Sequence, residues 1–180
     1  IDPVKLFGKE NFEVLRSKHI RIDGTRITGE EGSQFRPSDI RGGCLDYPQA
    51  IWNAAPSCNY SSRSGTAISA VTIHTIQGTY AGAISWFQNC SANVTAHYVV
   101  RSSDGQVTQM VCESDKAWHV GSENPYTIGI EHDGYVEDPQ TWYTTALYES
   151  SASIIRDIVQ SGYGIDPLRT FYDPPGITWN

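Results

Sequence analysis

Apolar runs separated by glycine and polar residues divide the chain into short elements of alternating type. The run Ala67–His74 is rich in β-branched residues and predicts a β-strand that ends at His74. Thr79 is suited to cap a helix over Tyr80–Asn89, where apolar residues recur at helical spacing. A strand followed directly by a helix is therefore expected in this part of the chain.

A β-hairpin is expected next, because Asp104-Gly105 is a strong tight-turn signal between two apolar runs. Its two strands would be Thr95–Arg101 and Gln106–Cys112. Thr127–Glu131 is a further short apolar run, and it predicts another strand.

The last clear pattern is helical. Leu147, Ile154 and Ile158 fall at helical spacing within a helix predicted over residues 141–161, and Gly162 provides its stop. The order strand, helix, hairpin, strand, helix predicts the fold class α/β (α+β), with a mixed central β-sheet flanked by helices.

The beginning of the chain has a different character. Residues 1–50 lack a sustained apolar period and are broken by glycine and proline, so we expect a partly ordered N-terminal extension. Residues 51–180 would then form the main domain, in keeping with a chain of 180 residues. No apolar run approaches the roughly 18 residues that a membrane-spanning helix needs.

Composition and charge argue against two classes of protein. The chain has 13 basic and 20 acidic residues, and its formal net charge is −7. Proteins that bind nucleic acid neutralise phosphates with basic side chains, so this charge balance argues against a nucleic-acid partner. Aromatic residues make up 11% of the chain and charged residues 18%, which is not the composition of a disordered protein.

The number and spacing of the cysteines bear on the cellular compartment of the protein. Cys44, Cys58, Cys90 and Cys112 form no C-x-x-C pair, which disfavours a zinc ribbon or a thioredoxin-like motif. Their even number suits two disulfides, with four buried thiols as the alternative. Of the three possible pairings, Cys44–Cys58 with Cys90–Cys112 closes the shorter loops and is the one expected. Disulfides, and a chain that starts at Ile1 without an apolar leader, predict a processed protein that is secreted or periplasmic.

Two residues at predicted strand ends are candidates for chemistry. His74 would project from the rim of the sheet, where it is either a metal ligand or a solvated histidine. Glu131 follows an apolar strand, so partial desolvation could raise its pKa toward that of a general base; the alternative is an ordinary exposed glutamate. His132 neighbours Glu131, but adjacent strand residues face opposite sides of a sheet.

Three further residues could contribute to a cleft. His97 lies within a predicted strand and faces either a cleft or the core. Trp118 and His119 follow the hairpin, and for Trp118 core packing competes with stacking against a substrate.

Five sequence blocks, taken together and in this order, resemble the type 2 N-acetylmuramoyl-L-alanine amidases. That zinc amidase family also contains the phage lysozyme-like amidases and the animal peptidoglycan recognition proteins. The resemblance covers roughly residues 50–180. The blocks are Val71–Thr75, Gly82–Asn89, Ala96–Gly105, Lys116–Gly121 and Ile128–Gly134.

The resemblance implies a hydrolase that binds peptidoglycan or a muropeptide and cleaves the amide between N-acetylmuramic acid and L-alanine. It implies that His74 binds Zn²⁺ and that Glu131 is the catalytic base. It also implies that His97, Trp118 and His119 line the substrate groove. We further expect a monomer.

The chain departs from the family pattern near its end. Asp173 lies just before a Pro-Pro-Gly segment and matches the family's late zinc-binding aspartate, yet no histidine follows His132. A loop that carries the family's late histidine could be missing between Thr170 and Asp173, or lost together with the zinc. Alternatively, His97 or His132 could complete the site. The alternative function is therefore a non-catalytic module that binds muropeptide.

Overall fold

The computed structural model describes residues 21–23, 26–28 and 44–165, the first two segments by their backbone alone. Its strands are β1 (Arg21–Asp23), β2 (Arg26–Thr28), β3 (Ile51–Trp52), β4 (Tyr60–Ser62), β5 (Ala70–Thr75), β6 (Tyr98–Val100), β7 (Val107–Gln109), β8 (Asp115–Ala117) and β9 (Thr127–His132). Its α-helices are α1 (Tyr80–Phe87), α2 (Pro139–Trp142) and α3 (Thr145–Gln160). Short 3₁₀ turns cover Ser57–Asn59 and Gly121–Tyr126.

A five-stranded mixed sheet organises the molecule, with the strand order β3-β7-β6-β9-β5. Strand β9 pairs in parallel with both β5 and β6, whereas β6 and β7 form an antiparallel hairpin. Two small antiparallel pairs, β1-β2 and β4-β8, lie outside this sheet. Together with the flanking helices, this arrangement confirms the predicted fold class.

The sheet has a separate hydrophobic core on each of its faces. Ile128 and Ile130 are fully buried in the core that contains Ile154 and Ile158 of α3. On the other side of the sheet, Val99 packs in a second core together with residues of α1. Because neighbouring strand residues point to opposite faces, Glu131 of β9 lies on the α1 side.

Both predicted helices form, and a threonine caps each of them. Thr79 Oγ1 accepts a hydrogen bond from Gly82 N at 3.2 Å, which confirms the cap of α1. The second helix begins later than predicted, because Thr144 Oγ1 accepts from Leu147 N at 3.1 Å and starts α3 there. Residues 139–142 form the separate short helix α2. Gly162, with φ +90°, follows the end of α3 as expected.

The predicted hairpin is confirmed, although its strands are shorter than the sequence runs. Gly105 in the turn has φ +74°, a left-handed conformation that favours glycine. A Cβ at this position would also come within 2.6 Å of the Ala146 carbonyl oxygen. The turn therefore packs directly against the start of α3.

The expected disulfide pairing is wrong. Cys44 is joined to Cys112 and Cys58 to Cys90, so all four cysteines are oxidised. The pairing follows tertiary contacts rather than loop length, since residues 44–50 pack beside β7. In that contact Gln109 Oε1 accepts from Asp46 N at 2.8 Å.

Residues 44–50 belong to the folded body. Tyr47 and Ala50 are buried in the core on the α3 side of the sheet. A division of the chain near residue 50, with an extension before it, stays a prediction. Within the described segments, no helix has the length and apolar character that a bilayer span requires.

Asn59 ties the 3₁₀ turn before β4 to the end of α1. Its side chain is fully buried, and Nδ2 donates to Phe87 O at 2.7 Å and to Asn89 O at 2.8 Å. The Cys58–Cys90 bridge joins the same two segments covalently. Helix α1 is therefore fixed at its C-terminal end by two hydrogen bonds and a disulfide.

Candidate active site

A cavity of about 370 Å³ lies between α1 and the edge of the sheet where the parallel strands β5 and β9 end. His74 of β5 and Glu131 of β9 contribute its polar wall. The other side is mostly apolar and includes Ile76, Trp86 and Phe87. The cavity thus combines an imidazole and a carboxylate with an apolar wall, which is typical of ligand sites.

His74 and Glu131 are direct partners in the parallel register of β5 and β9. Directly paired strand residues present their side chains on the same face of the sheet, and both residues line the cavity. The structure therefore brings together the two residues that the sequence marked at strand ends.

The carboxyl group of Glu131 is largely desolvated. Burial raises its pKa to about 7, and it accepts no hydrogen bond within the described segments. A carboxyl group with a pKa near neutrality is poised to accept a proton and to release it again. Glu131 thus has the acid–base properties of a general base.

A second histidine holds the ring of His74. His74 Nε2 lies 3.0 Å from His119 Nδ1, and the two rings meet edge to face with centroids 5.3 Å apart. Burial lowers the pKa of His74. The pKa of His119 falls to about 4, first through burial and then through the charges of His74 and Arg63. Burial thus disfavours the charged form of both imidazoles.

The turn Gly121–Tyr126 and strand β9 position His119. Its backbone N–H donates to Asn124 Oδ1 at 2.9 Å, and its Nε2 lies 3.2 Å from Thr127 Oγ1. The ring lies over Gly129, where an added Cβ would come within 2.6 Å of His119 Cγ. Glycine at position 129 therefore leaves the space that this ring occupies.

His97 is fully buried and lies behind this pair rather than in the cavity. Its Nδ1 accepts from Gly129 N at 2.9 Å, and its ring centroid lies 5.8 Å from that of His119. Its Nε2 is 3.2 Å from Asp115 O and 2.8 Å from Arg63 Nη2. Burial lowers the pKa of His97 well below its usual value.

The sequence analysis did not identify Arg63, which is buried and holds the loops around the site. Its guanidinium donates to the backbone carbonyls of Glu113, Asn124, Pro125 and Thr127 at 2.7–3.0 Å. An isolated arginine in a polar, serine-rich segment carries no signal of burial in the sequence. Its effect is to fix the C-terminal part of the turn Gly121–Tyr126, which follows His119.

Trp86 is the second residue that sequence analysis missed as part of the site. The sequence predicted it only as one of the apolar residues in the helix over Tyr80–Asn89, yet its side chain is 51% exposed and lines the cavity. A large aromatic side chain that remains half exposed beside a cavity is a platform for stacking.

The other proposed site residues lie outside the cavity. Trp118 is half-buried, and its Nε1 donates to Ser61 Oγ at 3.1 Å. His132 is buried on the opposite face of the sheet, where its Nε2 lies 2.9 Å from Ser151 Oγ, as the alternation predicted. Asp173 lies outside the described residues. Within the segments that are described, no three His, Cys, Asp or Glu side chains form a metal-binding cluster.

The fold is that of amidase and endolysin catalytic domains. The S. aureus hydrolase AmiA, solved in complex with its ligand, superposes with a TM-score of 0.52 at 19% identity. That match covers 66% of this chain and 57% of AmiA. A mutant endolysin from Bacillus subtilis gives a TM-score of 0.51 at 18% identity, covering 65% of this chain and 78% of the endolysin.

The sequence places the chain within one family. The profile of the N-acetylmuramoyl-L-alanine amidases, Amidase_2, matches residues 64–177, so the chain belongs to this family. It is also 54% identical over 114 residues to N-acetylmuramoyl-L-alanine amidase A of Achromobacter lyticus. That alignment covers 63% of this chain and 63% of the relative, so the chain matches less than two thirds of that protein.

Proposed function

We propose that this protein is a zinc-dependent hydrolase that cleaves the amide between N-acetylmuramic acid and L-alanine in peptidoglycan. The observation that carries the proposal is the pairing of His74 with Glu131 on one wall of a cavity. Membership of the amidase family and the name of the 54% identical relative support the choice of substrate.

His74 and Asp173 are the proposed zinc ligands. Imidazole nitrogen and carboxylate oxygen are donors that Zn²⁺ prefers. Within the described segments, one ring nitrogen of His74 contacts His119 and the other has no hydrogen-bond partner, so it is free for a cation. When bound, zinc would polarise the scissile carbonyl and lower the pKa of a bound water to about 7.

Glu131 is the proposed catalytic base. With a pKa of about 7, its carboxylate can take a proton from the attacking water and pass it to the leaving amine of L-alanine. The apolar wall formed by Ile76 and Phe87 keeps this carboxyl group partly out of water, and desolvation is the cause of its raised pKa. Trp86 provides a stacking surface for a sugar ring or for the stem peptide.

His97 and His119 take more distant roles than groove lining in this proposal. His97 is buried beneath His119 and supports it, while His119 contacts His74 directly. Trp118 is the proposed part of the substrate groove beyond the cavity. The two disulfides support a secreted or periplasmic location, and the protein is proposed to act as a monomer.

The test is the release of stem peptides from purified peptidoglycan. Glu131→Gln should reduce release by at least 10²-fold, the usual range for loss of a general base, while leaving the fold intact. Glu137→Gln makes the same change at an exposed carboxylate and should have no effect. A chelator should abolish release and added zinc should restore it.

Undiminished turnover by Glu131→Gln would reject Glu131 as the base. Retention of muropeptide without any release by the unmodified protein would instead support the alternative, a module that binds muropeptide but does not cleave it.

A further inference from the structure

We propose that Thr127 and His119 form a hydrogen-bond relay that fixes His74 as its Nε2–H tautomer, so that Nδ1 is the atom that binds the metal. This inference rests on the proposed function only in naming a metal as the ligand of His74. The relay itself is a property of the folded protein and can be measured without any metal.

The relay begins at a backbone carbonyl, which can only accept hydrogen bonds. Thr127 Oγ1 donates its proton to Glu123 O at 2.9 Å. A hydroxyl group has one proton, so Thr127 Oγ1 can only accept from its other neighbour, His119 Nε2, at 3.2 Å. The proton of the neutral His119 ring is therefore on Nε2.

The position of the proton on His119 also determines the position of the proton on His74. A neutral imidazole has one N–H, so His119 Nδ1 is an acceptor. It lies 3.0 Å from His74 Nε2, which must then carry the proton of the His74 ring. His74 Nδ1 retains its lone pair and has no hydrogen-bond partner within the described segments.

The ring of His119, whose Nδ1 is the acceptor for His74, is held in place by its neighbours. Asn124 Oδ1 accepts from the backbone of His119, and Gly129 leaves room for the ring against β9. Arg63 binds the carbonyls of Asn124, within the turn that follows His119, and of Thr127, just after that turn. Metal-binding histidines usually donate their other N–H to such a fixed acceptor, which sets the tautomer and the ring orientation.

The proton positions can be measured in the metal-free full chain by long-range ¹H–¹⁵N NMR of the imidazole rings. We expect His74 and His119 both to be Nε2–H tautomers at neutral pH. In Thr127→Val the hydroxyl is lost, so His119 should become a mixture of tautomers. An Nδ1–H tautomer of His74 in the unmodified protein would overturn the proposal.

Metal affinity provides the second readout. His119→Phe keeps a ring but has no acceptor, and it should weaken zinc binding about 10–100-fold in a chelator competition. His119→Asn places an amide oxygen close to the position of Nδ1 and should stay within about threefold of the unmodified protein. Ser151→Ala removes the partner of His132 on the opposite face and should leave the affinity unchanged.

If His119→Phe and His119→Asn weaken zinc binding equally, His119 acts on the site through packing alone, and the relay is overturned. Loading with ¹¹³Cd identifies the metal-binding atom, since coupling should appear at His74 Nδ1; coupling at Nε2 would also overturn it. The experiments distinguish failure of the relay from failure of the proposed function. A folded protein that releases no stem peptides but shows the expected tautomers contradicts the proposed function alone.

Discussion

At the scale of single residues, two buried carboxyl groups stand out. Burial raises the pKa of both Glu131 and Glu113 to about 7, and neither forms an ion pair within the described segments. Their surroundings differ in a nearby charge, since Asp46 also raises the pKa of Glu113, and in their hydrogen-bond donors. Glu113 accepts hydrogen bonds from the hydroxyl groups of Tyr98 and Tyr163 at 2.7 and 2.8 Å, whereas Glu131 faces the cavity without such donors.

The raised pKa of Glu131 predicts the pH dependence of the activity. A general base must be deprotonated, so kcat/KM should rise as the pH increases through about 7 and should then level off. Below that point the rate should fall about tenfold per pH unit. Initial rates of stem-peptide release between pH 5 and 9 measure this limb, and a rate that increases toward acidic pH would contradict the assignment.

Glu113 predicts how stability depends on pH. Its folded pKa of about 7 exceeds the ordinary glutamate value of 4.5, so its contribution to stability is complete below pH 4.5 and is lost as the pH rises through 7. Glu113→Gln should therefore be more stable than the unmodified protein at pH 8, by on the order of 2 kcal/mol. Urea unfolding at pH 5 and pH 8 measures this difference. Glu149→Gln, at an exposed position, should leave the free energy of unfolding unchanged at both pH values.

At the scale of elements, the sequence predicts what depends on local pattern and misses what depends on distant contacts. The caps, the hairpin turn and the strands that carry His74 and Glu131 follow from periodicity and turn chemistry. The contact between His74 and His119 joins residues 45 positions apart, and no local pattern encodes it. Burial of Arg63 likewise results from carbonyls on distant loops.

The cap of α3 can be tested directly. Thr144→Ala removes the acceptor for Leu147 N and also a hydrogen bond to the Ser102 carbonyl, so the free energy of unfolding should fall by about 1–2 kcal/mol. Thr145→Ala, one residue further on and exposed, should change it by less than about 0.5 kcal/mol. Equal effects of the two substitutions in urea unfolding would show that Thr144 is not the cap.

At the scale of the whole molecule, one sheet separates two cores, and the α1 side carries the cavity. The loop-length argument failed for the disulfides because the segment 44–50 docks beside β7, a contact that only the folded chain reveals. Family resemblance identified the paired His74 and Glu131, but not Trp86, whose exposure depends on how α1 sits over the sheet.

The Cys58–Cys90 bridge should contribute substantially to stability, because it closes a loop of 32 residues around β5 and α1. Replacing both cysteines by alanine should lower the free energy of unfolding by about 2–4 kcal/mol. Chemical denaturation under non-reducing conditions measures the loss. An unchanged unfolding midpoint would show that the chain does not need this covalent link to α1.

The burial of Asn59 has a consequence for production of the protein in eukaryotic cells. Asn59-Tyr60-Ser61 is an acceptor sequence for N-linked glycans, yet both hydrogens of the Asn59 amide nitrogen are donated inside the protein. A sugar on that nitrogen would replace one of these bonds and could not fit where no surface is exposed. Secreted, correctly folded material from yeast or insect cells should therefore be unglycosylated at this asparagine, and chains that acquire the sugar should be retained as misfolded.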